Sequence, residues 1–161
     1  MRTALAAVAF LLLVGCGFQL RGTAQLPFET LYIPGKNPLA VELRRNVNAA
    51  SKTRLVDSPE RAQAVFGFTE ETREKVILSF TSAGKINEYR LRYRVGFRVT
   101  DPKGALVFLP TSEILLTRDM AYNDAQVLAK ENEEALLYRD MQTDMVQQIL
   151  RRLAVARPMA E

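Results

Sequence analysis

The chain has 161 residues, with 22 lysines and arginines against 18 aspartates and glutamates, no histidine and one cysteine. Without histidine it has no Ser-His or Cys-His nucleophile pair, no histidine general base and no histidine-ligated metal. One cysteine allows no disulfide within the chain. No paired acids lie in an apolar setting that would raise a carboxyl pKa, so the sequence predicts no enzyme, no cofactor and no metal site. The excess of positive charge is too small to indicate nucleic-acid binding.

The first residues predict a lipoprotein signal peptide over residues 1–15. Arg2 gives the positive start, residues 4–14 are an unbroken apolar run, and Gly15 precedes the cysteine, Cys16. The run is roughly ten residues, shorter than the roughly 20 that a membrane-spanning helix needs. A cysteine directly after such a site resembles the bacterial lipobox, which implies cleavage before Cys16 and acylation of that residue. An ordinary cleaved signal followed by a chance cysteine is the alternative.

Lipidation would hold the mature chain at a membrane by its first residue, because two or more acyl chains anchor a protein stably. The rest of the chain is then expected in an aqueous envelope compartment, where nucleic acid is no partner. Gly17 stands where an aspartate would retain an enterobacterial lipoprotein at the inner membrane, which favours the outer membrane. The predicted division is a lipidated tether over 16–27, a single α+β domain over 28–155 and a flexible tail over 156–161.

The domain is predicted to begin with a strand, a helix and a strand. Thr30–Pro34 is a short β-type run. Asn37 and Pro38 follow as an N-cap and a proline at the first helical position. A helix over residues 38–50 is predicted from an apolar stripe at helical spacing: Leu39, Leu43 and Val47. Thr53–Val56 is the next strand candidate.

From residue 64 to residue 122 the pattern is mostly β. Val76–Phe80 and Glu88–Thr100 flank a glycine-containing turn and predict a hairpin. The polar segment Thr69–Lys75 before it is either a loop or the middle of one long strand. One continuous strand is favoured because five apolar residues all have even numbers, as residues on one face of a strand would: Phe66, Phe68, Val76, Leu78 and Phe80.

A second turn is predicted at residues 101–104, which read Asp-Pro-Lys-Gly. Leu106–Leu109 and Glu113–Tyr122 then form a further strand, with an edge or bulge expected at Pro110. Asn123 can cap a final helix over residues 124–154. The core stripe of that helix is predicted to be Leu137, Met141, Met145, Ile149 and Leu153.

This order of elements predicts an α+β two-layer sandwich, in which two helices cover one face of a mostly antiparallel sheet of four to five strands. Alternation along the strand from residue 89 to residue 99 gives that sheet two different faces. Apolar and aromatic residues share one face: Tyr89, Leu91, Tyr93, Val95, Phe97 and Val99. Arginines share the other: Arg90, Arg92, Arg94 and Arg98.

Two interpretations of the arginine row compete. The arginines can form a solvated face neutralised by acids on neighbouring strands, Glu113 and Asp119 or Glu70 and Glu74. Alternatively, an arginine row on a helix-free face can bind an anionic ligand, because guanidinium groups suit phosphate and carboxylate. Lys85 at the hairpin turn extends the positive charge in either case.

Residues 16–22, CGFQLRG, followed by Leu26-Pro27 and the strand residues Leu31-Tyr32-Ile33, resemble the start of the LptE family of LPS-assembly lipoproteins. That family has a lipidated cysteine followed by a glycine, an aromatic residue, a polar residue and Leu-Arg. Gln19 stands where many members have histidine. The order of elements along the chain is also similar to that of the family.

The resemblance implies an outer-membrane lipoprotein that sits inside the LptD β-barrel as plug and assembly aid. It also implies a part in inserting lipopolysaccharide into the outer leaflet, with possible ligand contacts at Lys85, Arg90, Arg92, Arg94 and Arg98. The alternative is a periplasm-facing adaptor of another envelope complex that touches no glycolipid. An envelope hydrolase is disfavoured by the missing histidine.

Overall fold

The computed structural model describes residues 25–158, so the predicted signal peptide, Cys16 and most of the predicted tether lie outside the described residues. The elements are strand β1 (Thr30–Tyr32), helix α1 (Pro38–Ala50), strand β2 (Arg54–Leu55), strand β3 (Ala64–Phe80), strand β4 (Ile86–Thr100), strand β5 (Val107–Ala121) and helix α2 (Val127–Ala154). Short 3-10 turns at Pro59–Arg61 and Asp124–Gln126 precede β3 and α2.

The strands form one five-stranded sheet in the order β2-β1-β3-β4-β5. Strand β1 is parallel to both of its neighbours, whereas β4 is antiparallel to β3 and to β5. Buried residues of both helices belong to one apolar cluster with the sheet. The predicted α+β sandwich, with a mostly antiparallel sheet, is confirmed.

The core lies between the sheet and the two helices. Alternate residues of β4 are fully buried in it: Leu91, Tyr93, Val95, Phe97 and Val99. Helix α1 contributes its predicted stripe, and α2 contributes Met141, Met145, Val146, Ile149, Leu150 and Leu153. Leu137 is only partly buried and packs at the margin of the cluster. Hydrophobic periodicity therefore identified the buried face of both helices correctly.

Strand β3 is continuous, so the polar segment Thr69–Lys75 is strand and not loop. The parity argument for that continuity was wrong, because the two ends of the strand place their even-numbered residues on opposite faces. Phe66 is fully buried in the core, whereas Val76 pairs with Arg90 on the helix-free face. Continuity was predicted correctly, and the facing of its second half was not.

The reversal is caused by a β-bulge at Thr69. Phe68 pairs with Phe97, but the next pair is Glu70 with Gly96, so one residue of β3 has no partner of its own. An extra residue in one strand moves the side chains after it to the other face, because the side-chain period of a strand is two. In β3 this reversal holds up to Ile77, after which the register with β4 shifts again.

Strand β5 runs through Pro110 without interruption. Its register with β4 shifts between the pair Phe97–Ser112 and the pair Val99–Leu109. The irregularity expected at Pro110 is thus present on the edge strand of the sheet, where a missing backbone N–H is tolerated.

Two basic side chains of β3 hold the first half of α2 against the sheet, outside the apolar core. The Arg73 guanidinium lies 4.6 Å from the centre of the Tyr93 ring and 5.4 Å from that of the Tyr138 ring. The Lys75 ammonium lies 2.6 Å from a Glu134 carboxylate oxygen. These odd-numbered residues face the helix because of the bulge, and cation–π contacts of this kind contribute about 0.5–1 kcal/mol at exposed sites.

The helix starts differ in detail from those predicted. Asn37 precedes α1, but its side chain donates to the Glu71 carboxylate and makes no capping hydrogen bond. Asn123 accepts a hydrogen bond from the Ala125 N–H at 3.0 Å. It thereby caps the 3-10 turn, and the α-helix itself begins at Val127 and not at residue 124.

The packed chain extends past the predicted domain end at residue 155. Ala156 is buried, and the Arg157 N–H donates to the Phe108 carbonyl at 3.1 Å. The ring of Phe28 meets the ring of Phe108 edge-on, with centres 5.2 Å apart. Both ends of the described chain therefore pack against the start of β5. Residues 159–161 of the predicted tail lie outside the described residues.

Candidate functional site: the arginine face

We call the helix-free side of β3, β4 and β5 the arginine face. The predicted row, Arg90, Arg92, Arg94 and Arg98, lies on it, while the residues between these arginines point into the core. By strand register, β3 adds Glu70, Thr72, Glu74 and Val76, and β5 adds Glu113, Leu115, Thr117 and Asp119. Alternation predicted the separation of the two faces correctly.

Arg90 is paired with Asp119, which stands directly opposite on β5. The Arg90 Nε donates to one carboxylate oxygen at 2.7 Å and Nη2 donates to the other at 2.9 Å. This hydrogen bonding lowers the pKa of Asp119 and raises the pKa of Arg90. The bidentate geometry is the one that guanidinium would also offer to a phosphate.

The next two arginines of the row are paired as well. An Arg94 Nη1–Glu113 contact of 2.6 Å runs diagonally, because Glu113 stands opposite Gly96. Arg92 Nη1 lies 3.8 Å from a carboxylate oxygen of Glu74. These acids were among those proposed to neutralise the row, so three of the four arginines have the partners that the solvated-face interpretation expects.

Arg98 differs from the other three. Its neighbour on β3 is Gly67, and a Cβ placed there would lie 3.8 Å from the Arg98 Cγ. No carboxylate is opposite, and within residues 25–158 Arg98 makes no salt bridge. The side chain is exposed at the end of the arginine face where both chain ends pack.

Lys85 is placed at the far end of the molecule, in the turn between β3 and β4. Its side chain is 70% exposed, and its ammonium lies 3.5 Å from an Asp124 carboxylate oxygen. Arg90 and Arg98 are separated by about 26 Å along β4 at a rise of about 3.3 Å per residue. The four arginines therefore form a line along one face, Lys85 lies in the turn beyond its end, and the five predicted ligand contacts do not form a single pocket.

A cleft of about 310 Å³ opens beside Arg98. Its other lining residues come from the end of β4, the following turn and the irregular part of β5: Thr100, Gly104, Val107, Pro110 and Thr111. Sequence reasoning identified the turn, the bulge and the arginine separately. It missed that the sheet register brings the three together.

Over residues 25–158, no three histidine, cysteine, aspartate or glutamate side chains are grouped to hold a metal ion. No helix in this described part of the chain has the length and apolar character to cross a membrane.

Comparison with known proteins adds the family. The sequence model of the LptE family, described as lipopolysaccharide-assembly, matches residues 28–153. The LPS-assembly lipoprotein LptE of Photorhabdus laumondii is 29% identical over 156 residues, covering 94% of this chain and 84% of that protein. That of Pectobacterium atrosepticum is 30% identical, covering 91% of this chain and 80% of that protein.

Solved structures agree with these matches. The solution structure of an uncharacterized lipoprotein B from Nitrosomonas europaea is 40% identical, with a TM-score of 0.74 over 86% of this chain and 90% of that one. The rare lipoprotein B of Shewanella oneidensis is 25% identical, with a TM-score of 0.65 over 81% of this chain and 93% of that one. The family match spans nearly the whole described domain, and the chain therefore belongs to the LptE family.

Proposed function

We propose that this protein is an outer-membrane lipoprotein, held by lipid on Cys16, that plugs and helps assemble the LptD β-barrel. In this role it takes part in inserting lipopolysaccharide into the outer leaflet. The observation that carries the proposal is the family match across residues 28–153. The predicted lipobox at residues 13–16 supports the anchor.

The family works in lipopolysaccharide assembly, which is not an enzymatic function. The prediction of a non-enzymatic protein is confirmed by that membership. What the chain contributes physically is therefore a shaped surface and its charges.

The arginine face suits a plug in a barrel. Large outer-membrane barrels have polar interiors, whose inward side chains alternate with outward apolar ones. A three-stranded face whose charges are mostly paired can meet such a wall while burying few uncompensated ions, each of which would be costly. The pairs Arg90–Asp119 and Arg94–Glu113 meet that requirement on this face.

A pull-down through the full-length protein, produced in its native envelope with labelled palmitate, tests this role. We expect palmitate on the chain, loss of that label in Cys16→Ala, and one copy of a large β-barrel protein per copy of this chain. The barrel is identified by mass spectrometry. Recovery of the lipidated chain without a barrel protein would contradict the plug.

We further propose that the row contacts the phosphates of lipopolysaccharide through Lys85, Arg90, Arg92, Arg94 and Arg98. Phosphate is a good partner for guanidinium, which binds it with two parallel hydrogen bonds. The existing salt bridges do not forbid this contact, because exposed ion pairs contribute only about 0–1 kcal/mol each. An arriving phosphate can therefore share an arginine with its carboxylate partner, or displace that carboxylate, at a cost of about 0–1 kcal/mol.

Reversing two charges in the middle of the row should weaken binding. We expect Arg90→Glu with Arg92→Glu to lower the affinity for lipopolysaccharide by roughly threefold to tenfold, since each of the two lost surface contacts is worth about 0.3–0.7 kcal/mol. Isothermal titration calorimetry measures the affinity, and thermal unfolding checks the fold. The double lysine variant, Arg90→Lys with Arg92→Lys, keeps the charge but loses the paired guanidinium hydrogen bonds, so its affinity should lie between those of the native protein and the double glutamate variant. Unchanged affinity in the double glutamate variant would remove the row as a ligand surface.

The second candidate function is an adaptor that docks on another envelope complex and binds no glycolipid. The observation that favours it is the pairing of Arg90, Arg92 and Arg94 with acids, which leaves these side chains satisfied without a ligand. The pull-down separates the two functions, because an adaptor would bring down non-barrel envelope proteins. Charge reversal that unfolds the domain would also favour this purely structural role of the row.

A further inference from the structure

We propose that the cleft at Arg98 is a binding site for a phosphate monoester on the arginine face. The inference rests on the proposed lipopolysaccharide function and deepens it by assigning one place and one chemical group. Nothing in the family's name or in the matched relatives assigns a ligand to this end of the molecule.

The first step is the distribution of carboxylates along the row. Arg90, Arg92 and Arg94 each have an acid within 4 Å, so an anion arriving there competes with an attached carboxylate. Arg98 is opposite Gly67, and the described chain offers it no salt bridge. Among the described residues, Arg98 is therefore the arginine of the row whose charge is not shared with a carboxylate.

The second step is the chemistry of the cleft wall. Thr100 and Thr111 supply hydroxyl groups, whereas the Gly104 N–H already donates to the Asp101 carbonyl at 3.1 Å within the turn. Hydroxyl groups can donate to a phosphate oxygen beside the charge-assisted hydrogen bonds of an arginine. The cleft lining contains no carboxylate.

The acid nearest in sequence, Asp101, is already engaged. Its Oδ1 accepts a hydrogen bond from the Leu106 N–H at 2.8 Å, which closes the turn and lowers the pKa of Asp101. Glu113, further along the same face, is held by Arg94. Lys103, which adjoins Gly104, is exposed and adds positive charge at the turn.

The third step is the position of the cleft on the molecule. Val107 in the lining is adjacent to Phe108, against which Phe28 packs. The chain thus enters the domain beside the cleft, at the end opposite to Lys85. A phosphate bound here would lie at the tether end of the domain, where a lipid-anchored protein is closest to its membrane.

The experiment titrates the full-length mature protein with three probes: lipopolysaccharide, enzymatically dephosphorylated lipopolysaccharide and inorganic phosphate. Isothermal titration calorimetry measures binding of the two glycolipids, and competition by inorganic phosphate distinguishes a site that reads phosphate alone from one that needs the lipid-linked group. Thermal unfolding confirms that each variant is folded.

We expect Arg98→Ala to lower the affinity for lipopolysaccharide tenfold or more, as loss of charge-assisted hydrogen bonds predicts. Gly67→Glu should lower it similarly with the arginine still present, because it places a carboxylate opposite Arg98, as Asp119 stands opposite Arg90. Arg45→Ala is the matched control, since Arg45 is an exposed arginine on α1, on the other side of the sheet, and should bind normally.

Dephosphorylated lipopolysaccharide should bind the native protein at least as weakly as intact lipopolysaccharide binds Arg98→Ala. Native affinity in both Arg98→Ala and Gly67→Glu would overturn the assignment of the cleft and leave the wider proposal of lipopolysaccharide contact standing. If the native protein binds no lipopolysaccharide, the wider contact fails, and the cleft is then judged by whether inorganic phosphate binding depends on Arg98. Independence from Arg98 in every probe overturns the inference.

Discussion

Replacing Phe66 with alanine should lower the free energy of unfolding by about 3–5 kcal/mol, the range found when large buried aromatic side chains are truncated. Phe66 is fully buried in β3. Its ring stacks on Phe97 with centres 5.5 Å apart and meets Phe68 edge-on at 4.8 Å. The cavity left by truncation would lie between the sheet and both helices, where little can move to fill it.

Phe80→Ala is the matched control, because it makes the same chemical change in the same strand. Phe80 is 61% exposed, so its truncation should change the free energy of unfolding by no more than about 0.5 kcal/mol. Equilibrium urea unfolding of the purified protein measures both variants. Equal losses at the two positions would mean that both phenylalanines are buried alike, which contradicts the exposure of Phe80 and the burial of Phe66.

Small domains are stable by only about 5–15 kcal/mol, so the Phe66 variant should be close to the limit of folding. A reduced yield of folded Phe66→Ala beside a normal yield of Phe80→Ala would agree with this expectation. The comparison matters for function as well, because the facing of β3 decides which of its acids can reach the arginines.

The elements with long, regular patterns could be predicted from the sequence. Six alternating positions of β4 and five positions of α2 at a spacing of four each indicate burial repeatedly, so one irregular residue does not hide the period. Short elements were predicted at the right place but with the wrong ends. The run Thr30–Pro34 is strand only over Thr30–Tyr32, because backbone pairing with the neighbouring strands, and not residue propensity, sets where a strand ends.

The bulge in β3 could not be predicted, because nothing in the segment TEETREK signals an extra residue. All seven side chains are polar, so neither face shows a hydrophobic period. The residue that makes the bulge possible, Gly96, is on the partner strand and becomes informative only when the register is known.

The candidate site could be predicted from the sequence to about the same extent as the fold. Alternation placed four arginines on one face, and inspection of nearby acids suggested partners for three of them. The sequence could not show that Arg98 stands opposite a glycine, or that Pro110 and the turn at Gly104 adjoin it. Such facts depend on sheet register, which is set by long-range packing.

Replacing Gly96 with alanine should destabilise the protein by roughly 1–3 kcal/mol, the usual cost of forcing an extra group into a packed site. A Cβ at position 96 would lie 2.4 Å from the Thr69 Oγ1 and 3.4 Å from the Glu70 Cβ. The bulge brings β3 this close to β4, so alanine requires either Thr69 to rotate or the strands to separate. Gly67→Ala is the control, because its Cβ would meet Arg98 at an ordinary contact distance of 3.8 Å.

The Thr69→Ala variant tests whether the Thr69 hydroxyl causes the loss of stability in Gly96→Ala. Thr69 is exposed, so its truncation alone should cost no more than about 0.5 kcal/mol. Combined with Gly96→Ala, it removes the clashing oxygen and should restore most of the lost stability, giving a favourable coupling energy of roughly 1 kcal/mol in a double-mutant cycle. Urea unfolding of the four proteins measures that coupling. Strictly additive losses would contradict the close approach of Thr69 to Gly96, and with it the bulge that turns Glu74 toward Arg92.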